Sequence, residues 1–504
     1  MSSVVTDVEP LSTFSAGLGH DLAAVVDVGS NSVRLVVFEG PSRGRLPIFN
    51  EKVLCGLGRS LNDTGRLDEK GVERAVLTLK RFAALIRRMG VAQIDSVATA
   101  AVRDAADGNA FVQRVRREVG LELRVLSGKE EAIMSGYGVL ASLPRVEGLV
   151  GDLGGGSLEL VELKNGRVGN TATLPLGPLR LQGIADATDL RRHVDQSLEG
   201  VEWLPTMRGQ PLYVVGGGWR SLARVHMAQT NYPLHIIDNY TVEPTVIREI
   251  SRLLSRQSRG SLQRLAGVSS RRVDTLPHAA FALRRLLKIA APDRVVFCAH
   301  GLREGLLYDR LTPTEKKRDP LLESCRAMAE RENRFAIVDQ ELFDWMSPVF
   351  EGETKDEARL RSVACLLSDV GWRVHPDYRD QQAFRRVLRA PFPAIDHAGR
   401  GLVALAVLWR YRGNHDEGLV TAVKRLLTEQ QIERAQKIGL ALRLAHTLTG
   451  GTPGALGDAS LTVGDDRLTL TLGPTVTDLS GEIVQRRLDA LAKAMGRIGE
   501  IDLL

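Results

Sequence analysis

The sequence predicts an α/β protein of two duplicated halves with a cleft between them, then an α-helical domain and a small α+β C-terminal region. Three observations carry this. A motif occurs twice, DVGSNSVRLVVFEG from Asp27 and DLGGGSLELVELKNG from Asp152. Aligned without gaps, Asp27 meets Asp152, Gly29 meets Gly154, Ser32 meets Ser157, Leu35 meets Leu160 and Val36 meets Val161. Strand-like and helix-like segments alternate around both copies, which is the pattern of mixed sheets flanked by helices. The polar segment RLTPTEKKRDP, residues 310 to 320, ends that alternation, and mostly helical sequence follows.

Each motif copy reads as a buried strand (AAVVDVG, GLVGDLG), a turn of glycine and hydroxyl residues, and a second apolar strand, together a hairpin. Such a turn offers backbone N–H groups and Ser hydroxyls around a small concave space that suits a phosphate. The Asp at each mouth suits Mg²⁺, which takes one or two carboxylates plus phosphate oxygens. Asp-x-Gly merely opening a tight turn accounts for one copy. Recurrence of Asp, Gly and Ser at one spacing favours a phosphate site gripped from two sides.

Between the copies, Val72, Ala75, Val76, Leu79, Phe82, Ala83 and Ile86 recur at helical spacing until Gly90. A strand IDSVATAAVRDA, a helix through FVQRVRREVG, and a strand LELRVLSG leading into a helix at Lys129 follow. The plan repeats from Leu149, with VVGGGWRS from Val214 as a strand-to-helix turn and RVVFCAHGLREGLLYD from Arg294 as a last strand and helix. Beyond the linker, RSVACLLSDVGW and GLVALAVLWRYRG are helical, ASLTVGDDRLTLTLG is a hairpin turning at Gly464 to Arg467, and EIVQRRLDALAKAMGRIG is a closing helix. The expected organisation is a disordered tail at 1–20, halves at 21–145 and 146–311, a helical domain at 312–450 and a small α+β region at 451–504.

The 43% hydrophobic and 25% charged fractions are those of a water-soluble globular protein. The charge of +6 favours polyanionic partners without requiring nucleic acid, and no stretch interleaves aromatic with basic residues as a single-strand stacking platform would. Cys55, Cys298, Cys325 and Cys365 lie far apart with no CxxC pair, which fits reduced thiols in a cytoplasm. The first twenty residues lack the basic start and apolar core of a signal peptide, and no uncharged apolar run is long enough to span a bilayer, so no membrane association is expected.

Two further places carry chemistry. Arg103 follows the strand SVATAAVRD and is expected at its exposed end, toward the cleft, where a guanidinium can hold two phosphate oxygens; an ion pair with Asp104 or Asp107 is the plainer role. VLSGKEEA starts a helix with adjacent carboxylates. Ser127 followed three residues later by Glu130 is a capping box, which gives Glu130 a structural task. Glu131, about 100° further round the helix, is free to orient or deprotonate a water, unless it only complements the helix dipole.

The order DxGSNS, an Ala-Thr-Ala-x-x-Arg strand, SGxEEA, DLGGGSxEL, a Gly-rich turn and HGLREGLLYD resembles the exopolyphosphatase and guanosine pentaphosphate phosphohydrolase (Ppx/GppA) family, in the actin-like ATPase superfamily, over residues 21 to about 311. The resemblance implies two actin-like (ribonuclease H-like) halves, and Mg²⁺-dependent release of terminal orthophosphate from inorganic polyphosphate in the cytoplasm. Hydrolysis of pppGpp, an alarmone of the stringent response, or sensing of pppGpp, ppGpp or polyphosphate without turnover, are the alternatives; a homodimer is the expected assembly. It makes Glu131 catalytic. It assigns phosphate and Mg²⁺ contacts to Asp27, Asn31, Ser32, Arg103, Asp152, Gly154, Gly155, Ser157 and Glu159, to which the turn reading adds Gly29, Ser30 and Gly156. Asp27, Asp152 and Glu159 are the expected metal ligands; alternation with Leu158 and Leu160 equally allows Glu159 to be a solvated strand residue.

Two departures from the family pattern stand out. VVGGGWRS places Gly218 and Trp219 where a hydroxyl residue commonly follows the glycines, so Trp219 is expected in the core and a nucleoside at that turn is disfavoured. The helical segment resembles an HD-type phosphohydrolase domain, but Ser368 stands where the His before Asp369 would be, leaving Asp369, His375 and His397 without the adjacent His ligand. The basic segments SRLLSRQSRGSLQR and AFRRVLRA read as solvated helix faces; Arg385, Arg386 and Arg389 in the second are the expected path of a long polyphosphate.

Overall fold

The computed structural model describes residues 22–40, 43–411 and 418–504; the tail expected at 1–20 lies outside them. The chain forms two compact units, one ending at Arg318 and one spanning Asp319–Leu504.

The first unit contains two sheets of one plan. In the first, β1 (Ala23–Val28), β2 (Ser32–Glu39), β3 (Leu46–Leu54), β4 (Gln93–Ala98) and β5 (Arg124–Val125) lie in the order β3-β2-β1-β4-β5. The three-strand meander is antiparallel, and β4 and β5 run parallel to β1. In the second, β6 (Gly148–Leu153), β7 (Leu158–Lys164), β8 (Arg167–Leu174), β9 (Leu212–Val215), β10 (Tyr240–Val242) and β11 (Val295–Phe297) lie in the order β10-β11-β9-β6-β7-β8. Strands β8-β7-β6-β9-β11 thus repeat β3-β2-β1-β4-β5, and β10 adds an antiparallel edge.

Strand β1 is buried at every position but Asp27, as expected of a central strand covered on both faces. The helix Glu69–Arg88 packs Ala75, Val76, Leu79, Phe82, Ala83 and Ile86 into the core beneath it, each large side chain worth about 1.5–3 kcal/mol of burial. Trp219 is fully buried in the second core, and its Nε1–H donates to Ala279 O at 2.9 Å, so the expected core role holds.

Local expectations fail where pairing runs out. Arg103 is not at a strand end. The β1–β4 ladder finishes at Val28↔Ala98, Thr99 N is taken by Val28 O, and residues Ala100–Asp104 turn into a short helix that carries Arg103. Of LELRVLSG only Arg124 and Val125 are a strand, paired with Val97 and Ala98, and pairing stops after Val125 because β4 ends at Ala98. The linker contains a short helix, Pro313–Lys317, capped by Thr312 and Glu315.

The second unit is helical through Thr449, including Lys355–Leu366 and His397–Tyr411, and ends in a small sheet. The expected hairpin forms from β12 (Ala459–Val463) and β13 (Arg467–Leu472), with Gly464 N donating to Arg467 O at 2.9 Å. The closing helix stops at Ala494, earlier than expected, because Gly496 takes φ 71° and reverses the chain. Residues Ile498–Leu503 then form β14, parallel to β13.

Candidate active site

The two motif turns have the same geometry. Gly29 N donates to Ser32 O at 3.0 Å and Gly154 N donates to Ser157 O at 3.0 Å, each closing the hairpin across its loop. The first turn is backed by Gly58 N, which donates to Ser30 O, and by Cys55 N and Gly56 N, which donate to Asn31 O. The second is backed by Leu179 N on Gly155 O, with Gly177 so close that a Cβ there would lie 2.2 Å from Gly156 C. The turns approach each other: a Cβ on Gly156 would lie 3.1 Å from Ser30 Oγ.

They open on one cavity of about 430 Å³. Asp27, Gly29, Ser30, Asn31, Ser32, Glu131, Asp152, Gly154, Gly155, Gly156, Ser157 and Glu159 all line it, together with the Gly216–Gly218 turn. Gly216 has φ 101°, and a Cβ there would lie 2.3 Å from Leu153 O, so this turn requires glycine. Arg103 reaches the cavity through Glu131, and Arg385, Arg386 and Arg389 lie in the other unit, where Arg386 is ion-paired with Glu332.

Strand register shows how the duplication was put to two uses. In the first sheet Asp27 faces Arg34, which faces Lys52. In the second, Asp152 faces Glu159, which faces Thr173. One row therefore carries cations and the other a like-charge pair. Glu159 is only 1% exposed, which excludes a solvated strand residue, and its Oε1 is buried without a hydrogen-bond partner. Burial, then the nearby Glu131 and Asp152, push its carboxyl well above the usual range. Asp152 is raised chiefly by burial and accepts from Ser135 Oγ at 2.6 Å.

The capping box separates the adjacent glutamates as expected. Glu130 Oε2 accepts from Ser127 N at 2.8 Å, while Ser127 Oγ accepts from Glu130 N. Glu131 turns inward instead, 7% exposed, and accepts from an Arg103 guanidinium N–H at 2.8 Å. Arg103 also pairs with Asp104 at 3.2 Å, the plainer role, and is not itself among the residues that line the cavity. Burial pushes Glu131 up to about 7, against the lowering pull of Arg103.

The structure adds a set of cavity cations that sequence reading passed over: Arg34, Lys52, Arg220, Arg224, Arg271, Arg272 and Arg303, against four carboxylates. Desolvation, then mutual repulsion, lowers several of them. Lys52 falls to about 8 with Arg272 and Arg34 nearby, and Arg272 to about 10 with Arg220 and Arg224 nearby. A signal existed for two. The gapless alignment that matches Asp27 to Asp152 also matches Arg34 to Glu159, and HGLREGLLYD contains Arg303.

Asp152 and the unpartnered Glu159 oxygen fit a divalent cation; Asp27 fits less well, since Arg303 donates to its Oδ2 at 2.8 Å. Among the described residues no three His, Cys, Asp or Glu side chains converge as a preformed metal cage.

In the second unit Asp369 is held by Arg334, through its backbone N and its guanidinium, and by Arg410 at 3.4 Å. Ser368 Oγ donates to Cys365 O and meets His446 Nε2 at 2.9 Å. His375 is exposed and His397 buried.

A duplicated α/β unit whose paired glycine and serine turns face each other across a charged cleft defines an actin-like fold with a phosphoryl-handling site. Comparison narrows the class. Residues 36–314 match the Ppx/GppA phosphatase family and residues 326–501 match "Exopolyphosphatase, C-terminal". The chain belongs to the Ppx/GppA phosphatase family. It is 29% identical over 308 residues to Exopolyphosphatase 1 of Mycobacterium tuberculosis, covering 57% of this chain and 87% of that protein. It is 24% identical over 441 residues to Retrograde regulation protein 2 of Saccharomyces cerevisiae, covering 79% and 74%. The crystal structure of the Aquifex aeolicus Ppx/GppA family member superposes with a TM-score of 0.51 at 26% identity, covering 60% of this chain and all of that one. Membership makes the protein a phosphatase-type hydrolase. No helix among the described residues is long and apolar enough to cross a membrane.

Proposed function

We propose that the protein is an exopolyphosphatase that releases terminal orthophosphate from inorganic polyphosphate. The observation that carries this is the cation excess in the cleft. Seven cationic side chains against four carboxylates exceed the need of one phosphoryl group and suit a chain of them; burial, then neighbouring guanidinium groups, lowers Lys52 and Arg272 among them. Backbone N–H groups of the Gly29–Ser32 and Gly154–Ser157 turns, with the two Ser hydroxyls, would hold the terminal phosphoryl group. Arg34, Lys52 and Arg272 would hold the phosphates behind it. Glu131 would orient or deprotonate the attacking water. Phosphoryl transfer has a loose transition state, so positioning and charge stabilisation supply most of the rate. Mg²⁺, held by Asp152 and Glu159, would neutralise phosphate charge.

Hydrolysis of pppGpp by the same site is the second reading. The Gly216–Gly218 turn weighs against a nucleoside there, because the Arg272 guanidinium lies where a Cβ on Gly217 would be, at 2.0 Å, and Trp219 is sealed in the core. Phosphate release from long-chain polyphosphate, pppGpp and ATP, measured side by side with Mg²⁺, tests the proposal. Polyphosphate should give the highest kcat/KM; a clear preference for pppGpp would replace the first reading with the second, and no release from any would favour a sensor.

The pH profile follows from Glu131. With its carboxyl near 7, the ionised form that can serve as a base grows as pH rises through that value. kcat/KM should therefore rise with pH along a limb centred near 7. Arg103 lowers the Glu131 pKa by hydrogen bond and charge, so Arg103→Gln should move the limb to higher pH as well as lowering its height. A limb that stays in place or moves to lower pH in this variant would remove Glu131 as the titrating group.

A further inference from the structure

The unit Asp319–Leu504 has a cavity of its own, of about 330 Å³, walled by Trp372, Arg379, Arg410, Arg443, His446 and Arg487. Volumes of about 300–1,000 Å³ are those of small-molecule pockets. Its wall carries four guanidinium groups, and Asp380 is the one carboxylate on it. Asp369, behind Arg410, is already bound by Arg334. Arg443 and Arg487 have no ion-pair partner among the described residues. Arg379, Arg410 and Arg487 each keep a buried Nε without a hydrogen-bond partner, and Arg410 is only 5% exposed. Buried donors left unpaired beside like charges are costly. Desolvation, then Arg487 and Arg410, lower Arg443 to about 10; desolvation, then Arg410 and Arg334, push His446 well below its usual value.

The chemistry of the missing partner follows. A monoanion would balance one guanidinium of four. A tetrahedral oxyanion of two or more charges can take several forked N–H pairs at once. The aromatic rings on the wall are already engaged by cations, Trp372 by Arg334 at 3.7 Å and Arg379 at 4.0 Å and Tyr411 by Arg410 at 4.2 Å, so the site offers charge more than stacking. We propose that this cavity is a second anion site, separate from the cleft residues, that binds a compact, multiply charged phosphate: inorganic oligophosphate or the phosphate chain of a small molecule.

The site has its own reporter in Trp372. Full-length protein is titrated with tripolyphosphate while tryptophan fluorescence is followed, with Trp372→Phe identifying that residue's share of the signal. A saturable change is expected, weakened about tenfold or more in Arg443→Gln and in Arg487→Gln, because each removes a charge-assisted contact, and retained in Glu131→Gln. Without ligand, both Arg variants should melt at or above the wild-type temperature, since a repelling cation is removed and no ion pair is lost. Parallel titrations with ATP and with sodium acetate distinguish the source. Equal response to ATP assigns recognition to any phosphate chain, and response to tripolyphosphate alone assigns it to the inorganic one. Acetate binding as tightly as tripolyphosphate, unchanged affinity in both folded Arg variants, or no Trp372 response at millimolar tripolyphosphate would each overturn the site.

Discussion

Glu131→Gln is expected to lower kcat by about 10² to 10⁴ with little change in KM, the pattern of a lost base whose partner contacts otherwise survive. Gln keeps the shape and can still accept from Arg103, which now donates to Glu131 Oε2 at 2.8 Å, so the side chain should stay in place. What disappears is the ionised carboxylate in a desolvated pocket, where charge interacts most strongly. Glu130→Gln is the control. Its carboxylate is spent on the Ser127 N–H and hydroxyl, and Gln also closes a capping box, so most activity should remain. Steady-state phosphate release from the two variants decides the assignment. Turnover lost with the Glu130 change and kept with the Glu131 change would reverse it.

The same pair shows what a sequence can and cannot convey. Ser127-x-x-Glu130 is local chemistry, legible three residues apart, and it separated the two carboxylates before any tertiary contact was known. The duplicated turns were legible because a repeat needs no register, and their matching Gly–Ser hydrogen bonds follow from matching residues. The cation row was not. Arg34 and Lys52 meet Asp27 only through the pairing of three strands, and the alternation of a strand does not say which face looks into a cleft. Arg220, Arg272 and Arg303 arrive from three separate segments far along the chain. Element ends failed for the same cause. Thr99 to Asp104 reads as strand by composition, but the neighbouring strand supplies no further partner, and the backbone closes on itself as a helical turn.

Gly305→Ala is expected to cost about 3 kcal/mol or more of stability and most of the activity, because it separates two helices that touch backbone to backbone. On the helix Gly128–Ser142, Glu131, Ser135 and Gly138 recur at spacings of four and three and so share one face. Glu131 reaches the cleft, Ser135 holds Asp152, and Gly138 meets the segment that leads into the helix Leu302–Asp309. A Cβ on Gly138 would lie 2.1 Å from Gly301 O, and one on Gly305 would lie 1.8 Å from Met134 O. Both obstacles are backbone, which cannot rotate away as a side chain does. Relief requires the helices to move apart, which shifts Glu131 on one and Arg303, the partner of Asp27, on the other. Gly260→Ala serves as the reference: it lies in the helix Arg259–Arg264 with nothing within 4 Å of the added methyl, so it should be neutral or slightly stabilising. Thermal melts of both variants, with phosphate release measured well below each transition, separate unfolding from misplacement. A Gly305→Ala protein as stable and as active as wild type would mean that this helix crossing does not set the geometry of the site.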